Sequence, residues 1–279
     1  MLEQTNAHYE QCIHDAHAFI QAMLEDQPTI AIVLGTGLGK VAESITTIKE
    51  IPYTDIPHFP LSTVESHSGT LIYGTIAGKT VLAMKGRFHL YEGYDMREIT
   101  FPIRVFKSLG IKILFVSNAS GALNPTYHAS DIMIIDDHIN LIGDNPLIGR
   151  NLSSFGPRFP DMSRPYDPAL IQLITQKAEA LHIPIHKGVY VGVSGPNLET
   201  RAEYKFLRII GGDVVGMSTI PEVLVARHMG MRVAGISIIT DEGYHENLQK
   251  VSLDDVLKAA EKAEPSLAIL MESVLSALE

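Results

Sequence analysis

The segment Gly86-Arg-Phe-His-Leu-Tyr-Glu-Gly-Tyr94 places a guanidinium, an imidazole, a phenol and a carboxylate between two glycines. A purely solvated loop does not need the mixture of Arg87, His89, Tyr91 and Glu92, whereas a binding loop held by a rigid scaffold does. Ser66-His67-Ser68-Gly69 lies just upstream, and its histidine is equally at home on an ordinary surface. Gly35-Thr-Gly-Leu-Gly39 can bring backbone N–H groups close to an anion, because glycine has no Cβ in the way. That loop matches neither the dinucleotide fingerprint nor a Walker loop, so a plain tight turn remains its alternative. Two acids ask for different chemistry. Arg87, Ser218 and the glycine loop suit a phosphate, while Glu199 and Asp241 would repel one and suit a ring bearing hydrogen-bond donors. Glu199 also fits the first turn of a helix, where the macrodipole favours an acid.

Those residues need strands and helices to bring them together. Val189 to Val193 reads as a buried strand, Gly195-Pro196 breaks it, and Thr200-Arg-Ala-Glu203 has the spacing of a helix-capping box. Residues 7–25 have helical periodicity, and Thr29 to Leu34 is a strand leading into the glycine loop. Residues 70–76 and 79–85 form a hairpin across Ala77-Gly78, followed by a helix over 97–109 that carries Pro102. Ile111 to Ser117 and Asp131 to Ile135 are strands, the first ending in Asn118-Ala-Ser-Gly-Ala122. Asp136-Asp137-His138 does not read as a metal site, since adjacent residues of an extended chain point to opposite faces. From Asn140 to Tyr166 the chain is irregular, and a loop of that length implies a function or a partner.

A helix spans Asp167 to Leu181, another runs from Thr200 to Gly211-Gly212, and Asp213 to Met217 is a strand. Thr219 to Glu222 is a second capping box, which puts Ser218 at a helix N-terminus that welcomes an anion. Met231 to Ile239 is the last strand, and Ser252 to Asp255 caps a C-terminal helix running through Pro265 to Leu278. The alternation predicts an α/β chain with a largely parallel sheet. Residues 35–39, 118–121, 194–199, 217–218 and 240–241 decorate strand ends, where open α/β sheets bind small molecules.

Composition narrows the partners. The 279 residues, 46% of them hydrophobic, suit a single domain spanning 1–279, without linker or repeat. A formal net charge of −10 argues against nucleic acid and anionic membranes, both of which need a clustered positive field. The single Cys12 excludes an intramolecular disulfide, and no Cys/His cluster has zinc spacing. The start lacks the pattern of a signal peptide and no apolar run approaches the ~18 residues of a membrane span, so a cytoplasmic, soluble protein is expected.

Taken together, Leu34-Gly-Thr-Gly-Leu-Gly39, Gly86 to Tyr94, Asn118-Ala-Ser-Gly121, Gly195-Pro-Asn-Leu-Glu-Thr200 and Gly216-Met-Ser-Thr-Ile-Pro-Glu-Val223 resemble the trimeric, low-molecular-mass purine nucleoside phosphorylases. The resemblance implies a phosphorylase/hydrolase-like α/β fold with a central mixed β-sheet flanked by helices, assembled as a homotrimer. It implies reversible phosphorolysis of a purine nucleoside to free base and pentose 1-phosphate, with inorganic phosphate as co-substrate and no metal or organic cofactor. By position, Thr36, Arg87, His89, the Ala119 amide and Ser218 would hold phosphate, with His67 close by. Tyr91 and Met217 would line the ribose, and Phe159 would reach the ribose pocket of a neighbouring subunit. Ser120, Gly121, Leu198, Glu199, Val215, Thr240 and Asp241 would surround the purine. His89, Glu199 and Asp241 are the catalytic candidates among them.

The sequence departs from that family at two places. Relatives usually carry Asn where this chain has Asp241. An amide can donate to purine N7 and to a 6-oxo group, but a carboxylate only accepts. Asp241 must therefore bind protonated or meet a 6-amino group, whereas Glu199 suits the N1–H of an oxopurine. Leu253 stands near where many relatives place a histidine for the ribose 5′-hydroxyl. An aspartate at the base with an apolar residue there is similar to the 5′-methylthioadenosine phosphorylases. The expected activity is thus cleavage of inosine and guanosine with adenosine as a further substrate. The alternatives are methylthioadenosine cleavage and a non-catalytic nucleoside-binding protein.

Overall fold

Apolar runs too short for helices alternate with amphipathic segments, and the chain folds accordingly. A computed structural model describes residues 6–35, 39–61, 69–244, 248 and 250–278; Thr36 and His67 lie outside the described residues. The strands are β1 (Ile30–Leu34), β2 (Thr46–Pro52), β3 (Thr70–Ile76), β4 (Lys79–Lys85), β5 (Ile113–Ala122), β6 (Ile132–Leu141), β7 (Ile185–Val193), β8 (Val214–Gly216) and β9 (Arg232–Glu242). The helices are α1 (Asn6–Gln21), α2 (Gly39–Glu43), α3 (Met96–Ser108), α4 (Pro168–Ala180), α5 (Arg201–Ile209), α6 (Ile220–His228) and α7 (Leu253–Ser276).

The strands form one sheet in the order β2-β3-β4-β1-β5-β8-β7-β6-β9, and β5 also pairs with β9. That extra pairing closes β5, β8, β7, β6 and β9 into a ring and removes the open edge they would otherwise present. The sheet is mixed, where the alternation of elements predicts a largely parallel one. β3 runs antiparallel to both β2 and β4, β8 antiparallel to β5, and β6 antiparallel to β9. The predicted hairpin across Ala77-Gly78 is present, and both turn residues have positive φ, as a tight hairpin turn demands. Helices α1, α3 and α6 bury apolar side chains on one side of the sheet, and α2, α4 and α7 on the other. Packing of α5 adds a smaller cluster of Tyr204, Leu207, Val191 and Val215.

Three local expectations change. Asn118 to Ala122 is strand rather than the loop after one, because β5 pairs with β9 on one side and with β8 on the other as far as Ala122. Asp136-Asp137-His138 lies within β6, and the register shift between Ile135 and Asp137 marks a bulge there that upsets simple alternation. Among the described residues no group of three metal-ligating side chains exists. Helix α1 ends at Gln21, short of the expected residue 25. The capping boxes at Thr200/Glu203 and Ser252/Asp255 are both present. No described helix is long and apolar enough to cross a membrane.

Candidate active site

Strand β5 is the spine of the site. Its second half, Asn118 to Gly121, forms one wall of a cleft of ≈ 200 Å³. The β1 end brings Gly35 and the turn after β4 brings Arg87, His89 and Tyr91. The β7–α5 connection brings Leu198 and Glu199, the β8 end Val215, Met217 and Ser218, and the β9 end Thr240 and Asp241. Two close approaches make this convergence possible. A Cβ on Gly35 would stand 2.7 Å from the Ser117 carbonyl oxygen, and one on Gly121 would stand 2.8 Å from Asp241 Oδ2. Glycine at 35 lets the β1 end approach the β5 backbone, and glycine at 121 leaves room for the Asp241 carboxyl beside β5.

One end of the cleft is built on Arg87, which is only 2% exposed. Its Nε and Nη2 each lie 3.0 Å from Glu222 Oε1. Nη1 donates to the Ser117 carbonyl at 2.7 Å, to Ser218 Oγ at 3.1 Å and to Thr219 Oγ1 at 3.3 Å. Asn118, also buried, donates to Thr219 Oγ1 at 2.8 Å and accepts from Ser237 Oγ at 2.7 Å. This network overturns the expected capping box at Thr219/Glu222. Thr219 makes no side-chain cap; it sits at φ 72°, ψ −54°, closing a three-residue turn in which the Ile220 amide donates to the Ser218 carbonyl at 2.8 Å. A β-branched residue in that region is strained, and the pull of Arg87 and Asn118 on its hydroxyl holds it there. Glu222 is buried because a buried guanidinium needs a counter-charge more than a helix end needs a cap. Ser218 precedes α6 by two residues, and its amide donates to the Tyr190 hydroxyl at 3.2 Å.

His89 is buried beside this network. Its Nδ1 lies 2.8 Å from Glu92 Oε1, which also accepts the His89 amide at 2.9 Å. The carboxylate makes Nδ1 the protonated nitrogen. The Tyr91 ring stacks on the imidazole at 4.6 Å, and burial pushes its phenol up to about 12, so it is a neutral donor near neutral pH.

The opposite end is acidic. Thr240 Oγ1 donates to Asp241 Oδ1 at 3.1 Å and the Tyr204 hydroxyl to Asp241 Oδ2 at 3.4 Å; Glu199 lies beside the same hydroxyl. Burial raises the pKa of both acids, and the charge of Asp241 raises that of Glu199 further. Along β5, Asn118 and Gly121 stand about 10 Å apart at the usual rise of a strand. That distance separates the cationic end from the acidic one. Leu253 and Val256 of α7 line the cleft as well, and Leu253 is 60% exposed.

All the described residues assigned from sequence therefore meet in one cleft except Phe159, which is 88% exposed with the Arg158 guanidinium 5.7 Å above its ring. Sequence reasoning missed Tyr204, Glu222, Asn118, Thr219 and Val256. Asn118 stood inside a quoted segment and Glu222 was read as a helix cap. Tyr204 and Val256 carried no spacing signal of their own.

A family model described as the phosphorylase superfamily matches residues 29–276. The chain is 50% identical over 267 residues to purine nucleoside phosphorylase 1 of Bacillus subtilis, covering 96% of this chain and 98% of that one. Its fold is similar to that of Schistosoma mansoni purine nucleoside phosphorylase in complex with adenosine, with a TM-score of 0.92, 42% identity and coverage of 96% and 98%. The same holds for that enzyme in complex with inosine, at a TM-score of 0.92, 41% identity and coverage of 96% and 97%.

Proposed function

The chain belongs to the phosphorylase superfamily, and we propose that it is a pentosyltransferase cleaving purine nucleosides with inorganic phosphate. One observation carries this reading: a single cleft holds a buried cation with hydroxyl and imidazole partners at one end and two carboxyls at the other. Phosphate is assigned to the end made by Arg87, His89, the Ala119 amide and Ser218. The pentose lies against Tyr91 and Met217. The purine fills the remainder, between Ser120, Gly121, Leu198, Glu199, Val215, Thr240 and Asp241.

The chemistry follows from that placement. As the C1′–N9 bond lengthens, positive charge grows on the sugar, and a phosphate dianion beneath it stabilises that charge and then attacks C1′. The bonding electrons leave with the purine, whose negative charge is relieved by a hydrogen bond or proton at the ring. Asp241, raised by burial, can carry that proton. The reaction calls on phosphate as co-substrate and on no cofactor. The exposure of Phe159 agrees with a role in a neighbouring subunit's cleft within a homotrimer.

Inosine and guanosine are the proposed substrates, with adenosine as a further one. A second reading, 5′-methylthioadenosine cleavage, is favoured by the apolar Leu253 and Val256 on the cleft wall. Initial rates with and without phosphate for inosine, guanosine, adenosine and 5′-methylthioadenosine separate the two. Phosphate-dependent release of base from the first three is expected; turnover of the methylthio compound alone would sink the main reading.

A further inference from the structure

The acidic end of the cleft contains a third group that the proposed chemistry leaves unused. Tyr204 is 6% exposed. Its ring packs with Val191, Leu207 and Val215, and lies so close over Gly243 that a Cβ there would collide with it. Tyr204 lines the cleft, and its hydroxyl stands 3.4 Å from Asp241 Oδ2 and next to Glu199.

A phenol has one proton to donate, and here two carboxyls compete for it. With both acids ionised, one of them would face a lone pair of the phenol oxygen and a neighbouring negative charge across a half-buried wall. The pair is relieved by one further proton, and that proton has two places to sit. With Asp241 protonated, its O–H faces the phenol oxygen or the base, and Tyr204 donates to ionised Glu199. With Glu199 protonated, Tyr204 turns its O–H to ionised Asp241. The two arrangements exchange by a paired shift. The Asp241 O–H bond breaks as a new O–H forms on Tyr204, while the original Tyr204 proton passes to Glu199. Net charge is unchanged and the phenol stays neutral.

These arrangements match the two kinds of purine. An oxopurine offers N1–H to ionised Glu199, and its N7 or O6 accepts the one O–H of protonated Asp241. An aminopurine offers its exocyclic amine to ionised Asp241, and its bare N1 accepts from protonated Glu199. Both demand the same number of protons in mirror-image positions. The departing base is met at N7 or O6 in one case and at N1 in the other. We propose that Tyr204 is a positioning residue that relays one proton between Glu199 and Asp241, so that a single cleft cleaves both 6-oxo and 6-amino purine nucleosides. This rests on the phosphorylase reading above.

The test compares kcat/KM for inosine and adenosine in the wild-type enzyme, Tyr204→Phe, Asp241→Asn and the double variant. Phenylalanine keeps the ring and its packing, and unchanged thermal melting verifies the fold. The wild type should cleave both nucleosides. Removing the hydroxyl should strand the proton and move the inosine/adenosine ratio by about tenfold or more, since a site with a misplaced donor rejects its ligand strongly. With asparagine at 241 there is no proton to relay, so Tyr204→Phe should then leave the ratio within about twofold, the non-additivity expected of one coupled unit. An unchanged ratio in Tyr204→Phe overturns the relay, as does an equal shift in both backgrounds or wild-type turnover of only one nucleoside. Absence of phosphate-dependent cleavage of either nucleoside would instead remove the phosphorylase reading, and the relay with it.

Discussion

The two ends of the cleft solve opposite electrostatic problems. At the cationic end, Arg87 is nearly inaccessible to water and is spanned by Glu222, the Ser117 carbonyl, Ser218 and Thr219. Its charge is balanced inside the protein and its geometry is set before any ligand arrives. At the acidic end, Glu199 and Asp241 are like charges half-buried around one phenol, and both are pushed toward their protonated forms. The first end is suited to a ligand of constant shape and charge, the second to ligands whose donors and acceptors differ. Rigidity in one place and shared protons in the other are different ways of obtaining complementarity from the same sheet.

Breaking the buried pair should have the largest effect. Glu222→Ala leaves Arg87 uncompensated, and unfolding by denaturant should show a loss of about 3–5 kcal/mol. Activity should fall with it. A smaller change should follow from Ser218→Ala, which removes a hydroxyl 3.1 Å from Arg87 and, on the proposed placement, a phosphate ligand. KM for phosphate should rise roughly tenfold, the equivalent of one hydrogen bond of about 1.4 kcal/mol. An unchanged phosphate KM would detach Ser218 from that role.

At the acidic end, Asp241→Asn installs a permanent donor and should raise the preference for inosine over adenosine. A ratio equal to that of the wild type would contradict the assignment of Asp241 to the base.

The smallest effect is a dependence of stability on pH. Because the folded pKa of Asp241 is raised above the ordinary 3.8, the folded state binds more protons than the unfolded one between those values. Stability from this group is then fully present below the unfolded pKa and is lost as pH rises through the folded one. The melting temperature of Asp241→Asn relative to wild type should thus climb as pH is raised from about 4 toward neutrality. A difference independent of pH would show that burial of Asp241 carries no such cost.

Much of the frame was legible because it rests on local rules. Apolar runs either side of the Ala77-Gly78 turn located the β3–β4 hairpin, and Thr-x-x-Glu and Ser-x-x-Asp spacing located the starts of α5 and α7. The same spacing misled at Thr219/Glu222, where a buried charge distant in sequence outcompeted the local cap. Alternation of elements gave the α/β class but not the mixed pairing, because strand direction depends on partners the local pattern does not name. Segment resemblance reached most of the cleft. It passed over Tyr204, which owes its place to Gly243 and the cluster beneath it.

Residue type and short-range spacing by themselves determined which elements form, which strand ends carry polar groups, and that a cation and two acids are available for a ligand. Only the tertiary structure decided how those groups share charge. Arg87 and Glu222 are 135 residues apart, and Tyr204 and Asp241 are 37 apart. Whether such groups meet is settled by closure of the β5–β9 ring and the packing of α5. Burial then sets the energy of a charge, and burial is a property of the assembled core.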